Sequence, residues 1–441
     1  MSSLPFDCTL LPLFKGALLV FPGKAVFCNI PPEEVENIRR VLDHKQSVEE
    51  LSESLKNSLK EHSFFSSHER SKIQAPKIQI QLTNACNLNC TYCCTNSKNA
   101  RTGELDENAI FKILFEIKEF LGAGTQVSFL GGEPFLVPFT TRLAKEALSL
   151  GLKLSIFSNG LPLADNDFLA KEVAELTKQG ALLRISLAAA SKEPCDLLSG
   201  EERFERAIAA LNNLSKNGGK AFVDVMLMPQ NASDMALAFN SLKKRVPEQF
   251  KISLGILYLS GREKGVHLFD SRHSMEQALT DIAFGAGEII EAAHSQPVMS
   301  RRDGCDCAIG MNLNIRSDGS LFPCFKMEER IGHISELGVT DALKKIRDNP
   351  HPAYNLKTCR NCPLNTLCGG GCRSDNFLFT GTEEPLCGSW RVQVLGELLA
   401  EDCVSAVNWS LPHLHAEALR RGIDAPETLK QVQQSRHCIE I

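Results

Sequence analysis

Residues 77–94 read KIQIQLTNACNLNCTYCC, and this stretch decides the fold. In its first half Ile78, Ile80 and Leu82 alternate with polar residues, the period of a strand with one buried face. In its second half Cys86, Cys90 and Cys93 follow a Cys-x3-Cys-x2-Cys spacing, with Cys94 directly behind. Disulfide pairing does not require thiols packed this tightly. Metal or iron–sulfur ligation does, because several thiolates must converge on one centre.

Outward from this stretch, strands and helices alternate. Strands are expected at 78–82, 127–130, 154–157, 182–187, 222–228 and 252–259. Amphipathic helices lie between them at 106–121, 169–179, 203–216 and 234–244. Six βα units in series predict a parallel sheet, open or curled into a partial barrel. Ligands of such folds bind at the carboxyl ends of the strands. The cysteine loop leaves the first strand, Gly131-Gly132-Glu133-Pro134 the second and Ser158-Asn159-Gly160 the third, so these motifs converge on one rim. One more helix is expected at 275–294, and beyond it the periodicity fades.

Composition narrows the function. The chain has 441 residues, 43% hydrophobic and 23% charged, the balance of an ordinary globular protein. A net charge of −5 offers no basic excess for phosphates, which argues against nucleic acid as a partner. No apolar run is long enough to cross a bilayer and no signal peptide is evident, so a cytoplasmic protein without a membrane partner is expected. The 17 cysteines therefore call for a chemical explanation.

A second cysteine group lies downstream. Cys305 and Cys307 precede Gly319 and Cys324, and Cys359-x2-Cys362-x5-Cys368-x3-Cys372 is followed by Cys387. Residues 300–390 have few long apolar runs and need clusters or metals to hold them. Zinc is the simpler alternative for both groups. Cys8, Cys28, Cys94, Cys195, Cys403 and Cys438 read as small buried hydrophobes. His333 and His351 have no partner pattern and read as structural.

At the N-terminus, strand-like runs at 17–21 and 25–28 flank the turn Pro22-Gly23-Lys24. A helix then opens at Pro31-Pro32-Glu33-Glu34, and a second starts at the capping box Ser47-x-x-Glu50. A hairpin plus helices of this size suggests a winged-helix-like module, with 63–75 as its linker.

The Cys86–Cys90–Cys93 spacing, with Tyr92 before the third cysteine, resembles the radical S-adenosylmethionine (SAM) superfamily over residues 77–259. The resemblance implies a 4Fe-4S cluster on these three cysteines, with one iron open to SAM. Gly131, Gly132 and Glu133 look like the family's GGEP motif, whose strand edge receives the SAM amino group. Ser158 and Asn159 resemble the segment that faces the ribose, and Ser186 the serine that faces the SAM carboxylate. After Ser186 the sequence reads Leu187-Ala188-Ala189, so the family's usual Asp and Gly are missing. The arginine that some relatives carry shortly afterwards is expected to be absent, with Ser199 near its place.

The downstream cysteines resemble the SPASM extension of radical SAM enzymes. That resemblance implies two auxiliary 4Fe-4S clusters, three in all. Cys359, Cys362, Cys368 and Cys387 would hold the distal one. Cys307, Cys324 and Cys372 would hold the proximal one, with Cys305 as candidate fourth ligand; otherwise an iron stays open there. Val48-Glu49-Glu50-Leu51 and the surrounding module resemble the leader-peptide recognition unit of peptide maturases, and a packing cap is the alternative.

The implied fold is α/β: a partial (β/α)6 TIM-like barrel at 76–296, a winged-helix-like module and linker at 1–75, a Cys-rich SPASM domain at 297–391 and a helical tail at 392–441. The implied activity is hydrogen abstraction from a ribosomally made precursor peptide, with thioether or carbon–carbon crosslinking and a flavodoxin- or ferredoxin-type electron donor. A sulfatase-maturase-type formylglycine former is one alternative, opposed by Phe325 and Lys326 after Cys324 where an acidic base is expected. A non-catalytic iron–sulfur electron carrier or binding partner is another. The resemblance assigns no catalytic acid or base.

Overall fold

The computed structural model describes residues 4–5, 7–65, 77–200, 202–256, 262, 278, 281–282, 312–325, 327, 330–348, 356–371, 373, 376, 380–401 and 411–425. Three short strands come first: β1 (Thr9–Pro12), β2 (Ala17–Phe21) and β3 (Val26–Ile30), antiparallel in that spatial order. The expected turn between β2 and β3 forms. β1 is an addition to the expected pair, and its proline lies on an edge strand, where a missing N–H is tolerated.

All five residues of β2 are buried, because both faces of this sheet are covered. Leu19 and Phe21 pack with Ile38, Val41, Leu55 and Leu59 of the helices Val35–Leu42 and Glu53–Glu61. Leu18 and Val20 face the other way, onto Leu364, Leu367, Val394 and Leu398 from the C-terminal part. The Ser47–Glu50 capping box closes only one 3-10 turn. Leu51 is extended, and the helix starts afresh at Glu53 because Ser52 supplies a second cap to Leu55 N–H.

Among the described residues the main sheet has nine strands, whose ranges follow, in the order β12-β11-β10-β4-β5-β6-β7-β8-β9. The six expected strands are β4 (Lys77–Gln81), β5 (Gln126–Leu130), β6 (Lys153–Ser158), β7 (Leu182–Leu187), β8 (Phe222–Leu227) and β9 (Lys251–Ile256), all parallel. Residues 257–259, and most of the helix expected at 275–294, lie outside the described residues. Ile78, Ile80, Phe129, Ile156, Ile185 and Val223 alternate into one core with the helices Glu107–Leu121, Thr140–Ser149, Asp167–Lys178 and Arg203–Lys216. Each βα step thus removes its strand's apolar face from water.

Three more strands extend this sheet from the far end of the sequence. β10 (Asn312–Ile315) runs parallel to β4, while β11 (Ser320–Phe322) and β12 (Gly332–His333) continue antiparallel. Residues expected to belong to a separate C-terminal unit therefore complete the main sheet. Gly319 makes the hairpin turn at φ +79, and a Cβ there would stand 2.5 Å from His333 Nε2. His333 braces that turn, its ring nitrogens meeting Asp318 O at 2.7 Å and Ser335 Oγ at 2.7 Å. Among the described residues no helix is long and apolar enough to cross a membrane.

Candidate functional site

The cysteine loop is fixed at both ends before it presents a thiol. At its entry the Glu104 carboxylate accepts from Thr83 Oγ1 (2.7 Å), Asn84 N–H (2.7 Å) and Arg101 N–H (3.0 Å). Burial opposes ionisation, but these donors hold the Glu104 carboxyl below its ordinary 4.5. Further on, Cys86 N–H donates to Lys98 O at 2.9 Å. Arg262 then straps the loop: its guanidinium donates to the Cys90 and Ser97 carbonyls and to Asn96 Oδ1, and its own N–H meets Cys93 O. Neither Glu104 nor Arg262 carries a signal in the sequence.

The thiols already receive donors. Leu88 N–H points at Cys86 Sγ and Ser97 N–H at Cys93 Sγ, both at 3.4 Å. Burial pushes the Cys86 thiol up to about 11, with the Leu88 N–H pulling back. Burial raises Cys90 as well, and Arg203 counteracts it. A sulfur such as that of Cys86, raised by burial yet met by an N–H donor, suits a metal that displaces its proton. Tyr92 packs inward, its hydroxyl 3.4 Å from Ser199 Oγ.

The second motif is built around this loop's backbone. Gly132 N–H donates to Thr83 O (2.8 Å) and Glu133 N–H to Ala85 O (2.9 Å). A Cβ on Gly131 would stand 2.4 Å from Thr83 O, and one on Gly132 2.0 Å from Ala85 O. The glycines therefore let two segments of the rim touch. Glu133 is wholly buried and accepts from Ser158 Oγ (2.8 Å), Asn159 N–H (2.7 Å) and Phe135 N–H (3.0 Å). Burial raises its pKa against these bonds. Asn159 Nδ2 reaches Asn87 Oδ1 at 2.7 Å, tying the third strand's end to the cysteine loop. Gly131, Gly132, Glu133, Ser158, Asn159 and the loop of Cys86, Cys90 and Cys93 are thus brought together, with Ser186 Oγ donating to Ser158 O at 3.4 Å.

The expected absence of an arginine is corrected here. Arg203, four residues past Ser199, is 1% exposed at the start of the helix Arg203–Lys216. Its Nη2 donates to Ser186 O, its Nη1 has no partner among the described residues, and its charge is felt at Cys90 and Glu133. As the first residue of an amphipathic helix, Arg203 carries no sign of burial in the sequence. A buried guanidinium nitrogen without a partner among the described residues, near Cys90 and the end of the fourth parallel strand, suits an anion.

A second site lies beneath the N-terminal sheet. Cys359, Cys362, Cys368 and Cys387 line one small cavity together with Arg391. Burial, then the charges of Cys368 and Cys387, push Cys359 up to about 12; burial pushes Cys362 up to about 11. Four thiols lining one cavity beside a buried cation are the donor types that bind a metal or an iron–sulfur cluster. Cys324 is buried just past β11. Its expected companions Cys305, Cys307 and Cys372 lie outside the described residues.

Residues 80–242 match the family model of the Radical SAM superfamily. The chain carries a radical SAM domain. Among curated proteins, the PqqA peptide cyclase of Methylocella silvestris is 24% identical over 70% of this chain and 86% of its own length. The AdoMet-dependent heme synthase of Methanosarcina barkeri is 25% identical over 71% of the chain and 96% of its own. Among solved structures, Streptococcus suis SuiB bound to S-adenosylmethionine superposes with a TM-score of 0.55 at 15% identity, covering 89% of this chain and 99% of SuiB. SuiB has also been solved with its precursor peptide SuiA. The radical SAM fold thus accounts for the rim on which the cysteine loop, the Gly-Gly-Glu segment and Arg203 meet.

Proposed function

We propose that this protein is a radical SAM maturase that modifies a ribosomally made precursor peptide, installing a thioether or carbon–carbon crosslink or a related oxidative change. The observation that carries the reading is the second, four-cysteine site, packed against an N-terminal sheet and joined to a radical SAM rim. The similarity to a peptide cyclase, and a fold shared with SuiB, support it.

In this reading Cys86, Cys90 and Cys93 hold the 4Fe-4S cluster that binds SAM. Reduced by one electron from a flavodoxin- or ferredoxin-type donor, SAM at such a cluster supplies a 5′-deoxyadenosyl radical that removes a substrate hydrogen atom. The protein's own residues position it. Arg203 Nη1 takes the SAM carboxylate, and the strand edge at Gly131–Glu133 takes the amino group. Glu133 stays an acceptor for the Ser158–Asn159 turn, whose backbone faces the ribose, while Tyr92 and Ser186 close the wall. Cys359, Cys362, Cys368 and Cys387 hold a second cluster. Cys305, Cys307, Cys324 and Cys372 hold a third, and the segment around them serves as the SPASM domain. The N-terminal sheet and helices serve as the winged-helix-like leader module, in a protein that works in the cytoplasm.

The test is iron and labile sulfide per chain after anaerobic reconstitution, with 5′-deoxyadenosine measured by mass spectrometry after adding SAM and dithionite. About twelve irons, with deoxyadenosine rising when the cognate precursor peptide is added, is the expected result. Iron without SAM cleavage would sink the enzyme reading in favour of an electron carrier. The similarity to a heme synthase favours a second reading, a small-molecule substrate; turnover with no response to any leader-bearing peptide would select it.

A further inference from the structure

We propose that Arg391 is the charge-compensating residue of the site formed by Cys359, Cys362, Cys368 and Cys387, and that its guanidinium raises the reduction potential of the cluster held there. This rests on reading those four cysteines as ligands of a 4Fe-4S cluster.

Arg391 is 2% exposed, in the first turn of the helix Ser389–Ala400. Its Nη2 stands 3.8 Å from Cys368 Sγ, while Nε and Nη1 have no hydrogen-bond partner among the described residues. Cys368, Cys387 and Cys359 are its strongest electrostatic neighbours. A guanidinium buried without a carboxylate costs several hydrogen bonds and a full desolvation, so it belongs to an anion. Four thiolates on a 4Fe-4S cluster provide one, and its negative charge grows on reduction. A fixed positive charge at this range, on a buried side chain, stabilises the reduced form more than the oxidised one.

The backbone makes room for this placement. Gly369, Gly370 and Gly371 all have positive φ, and a Cβ on Gly371 would stand 2.6 Å from Arg391 Nη2. The neighbouring Arg373 is a useful contrast. It is equally buried, but it donates to the carbonyls of Gly371 (3.0 Å) and Gly369 (3.1 Å), and so holds the glycine run itself. The two buried arginines therefore differ in place: Arg373 holds the loop carbonyls, with its charge felt at Cys359, while Arg391 lines the cavity and stands against Cys368 Sγ.

The experiment uses the full chain with Cys86, Cys90 and Cys93 replaced by alanine, reconstituted anaerobically. Iron is counted, and the clusters are titrated against potential by electron paramagnetic resonance; the signal lost in a Cys387→Ala control marks the distal site. With Arg391→Gln, the ratio of reduced to oxidised distal cluster at a fixed potential should fall about tenfold, equivalent to about 59 mV for one electron. Arg391→Lys should recover most of that. Loss of the distal irons in Arg391→Gln, but not in Arg391→Lys, also supports the proposal, since charge alone separates the two. An unchanged midpoint in Arg391→Gln at full iron, or equal shifts in both variants, overturns it. If Cys387→Ala loses no iron, the four-cysteine reading itself fails, whatever Arg391 does.

Discussion

Arg203 and Glu104 were invisible in the sequence for opposite reasons. Arg203 sits at the head of a helix whose amphipathic pattern is fully legible, but nothing in that pattern tells a buried guanidinium from a surface one. Its unpaired Nη1 makes Arg203→Gln the most informative single change at the rim: SAM should bind about tenfold more weakly, about 1.4 kcal/mol, with iron content unchanged. Isothermal titration of the reconstituted protein checks this, and Arg203→Lys should recover part of the loss. Glu104 works through the backbone and belongs to no motif. Because its folded carboxyl lies below 4.5, its contribution is complete above that pH and fades as pH falls through the lowered folded value. Glu104→Gln should therefore cost about 1–3 kcal/mol at neutral pH. The gap from wild type in urea midpoint should close under acid.

At the scale of elements, the spacing of apolar residues located the six parallel strands β4 to β9 but not β10, because period-two burial against a helical layer leaves a direct trace only where such a layer follows in sequence. The cysteine spacing located the loop for the same reason: converging thiolates cannot be scattered. Contacts between loops leave no such trace. The Gly131–Gly132 pair reads as room for a ligand, yet the nearest atoms are the carbonyls of Thr83 and Ala85. Gly132→Ala would push backbone on backbone, beyond what side chains can absorb. It should cost at least about 3 kcal/mol and abolish cluster assembly, measurable as iron content and as the thermal unfolding midpoint. The Ser47 capping box teaches a similar point, since a second cap at Ser52 wins the helix.

Over the whole molecule, the N-terminal hairpin and helices were legible but their seat was not, since no local pattern names a partner hundreds of residues away. Leu18 and Val20 form a core with Leu364, Leu367 and Leu398, and Phe14 N–H donates to the Glu397 carboxylate at 2.6 Å. Removing residues 1–65 should therefore uncover the apolar ceiling of the distal cysteine site. The truncated chain should lose irons there and associate, as read by iron count and sedimentation. A subtler probe is Leu18→Ala, which should cost about 2–5 kcal/mol; chemical denaturation checks it.

Lys77 of β4 pairs with Asn312 of β10. During synthesis, the strand that launches the cysteine loop keeps one edge bare until residues far downstream have left the ribosome. Closing so long a span is slow, and it exposes β4 to pairing with other chains in the meantime. Its three thiols are also open to oxidants during that interval. Biogenesis thus has an order imposed by topology: the sheet is sealed last, and expression under low oxygen, with iron supplied early and slow translation avoided, is the condition under which this chain should be recovered intact.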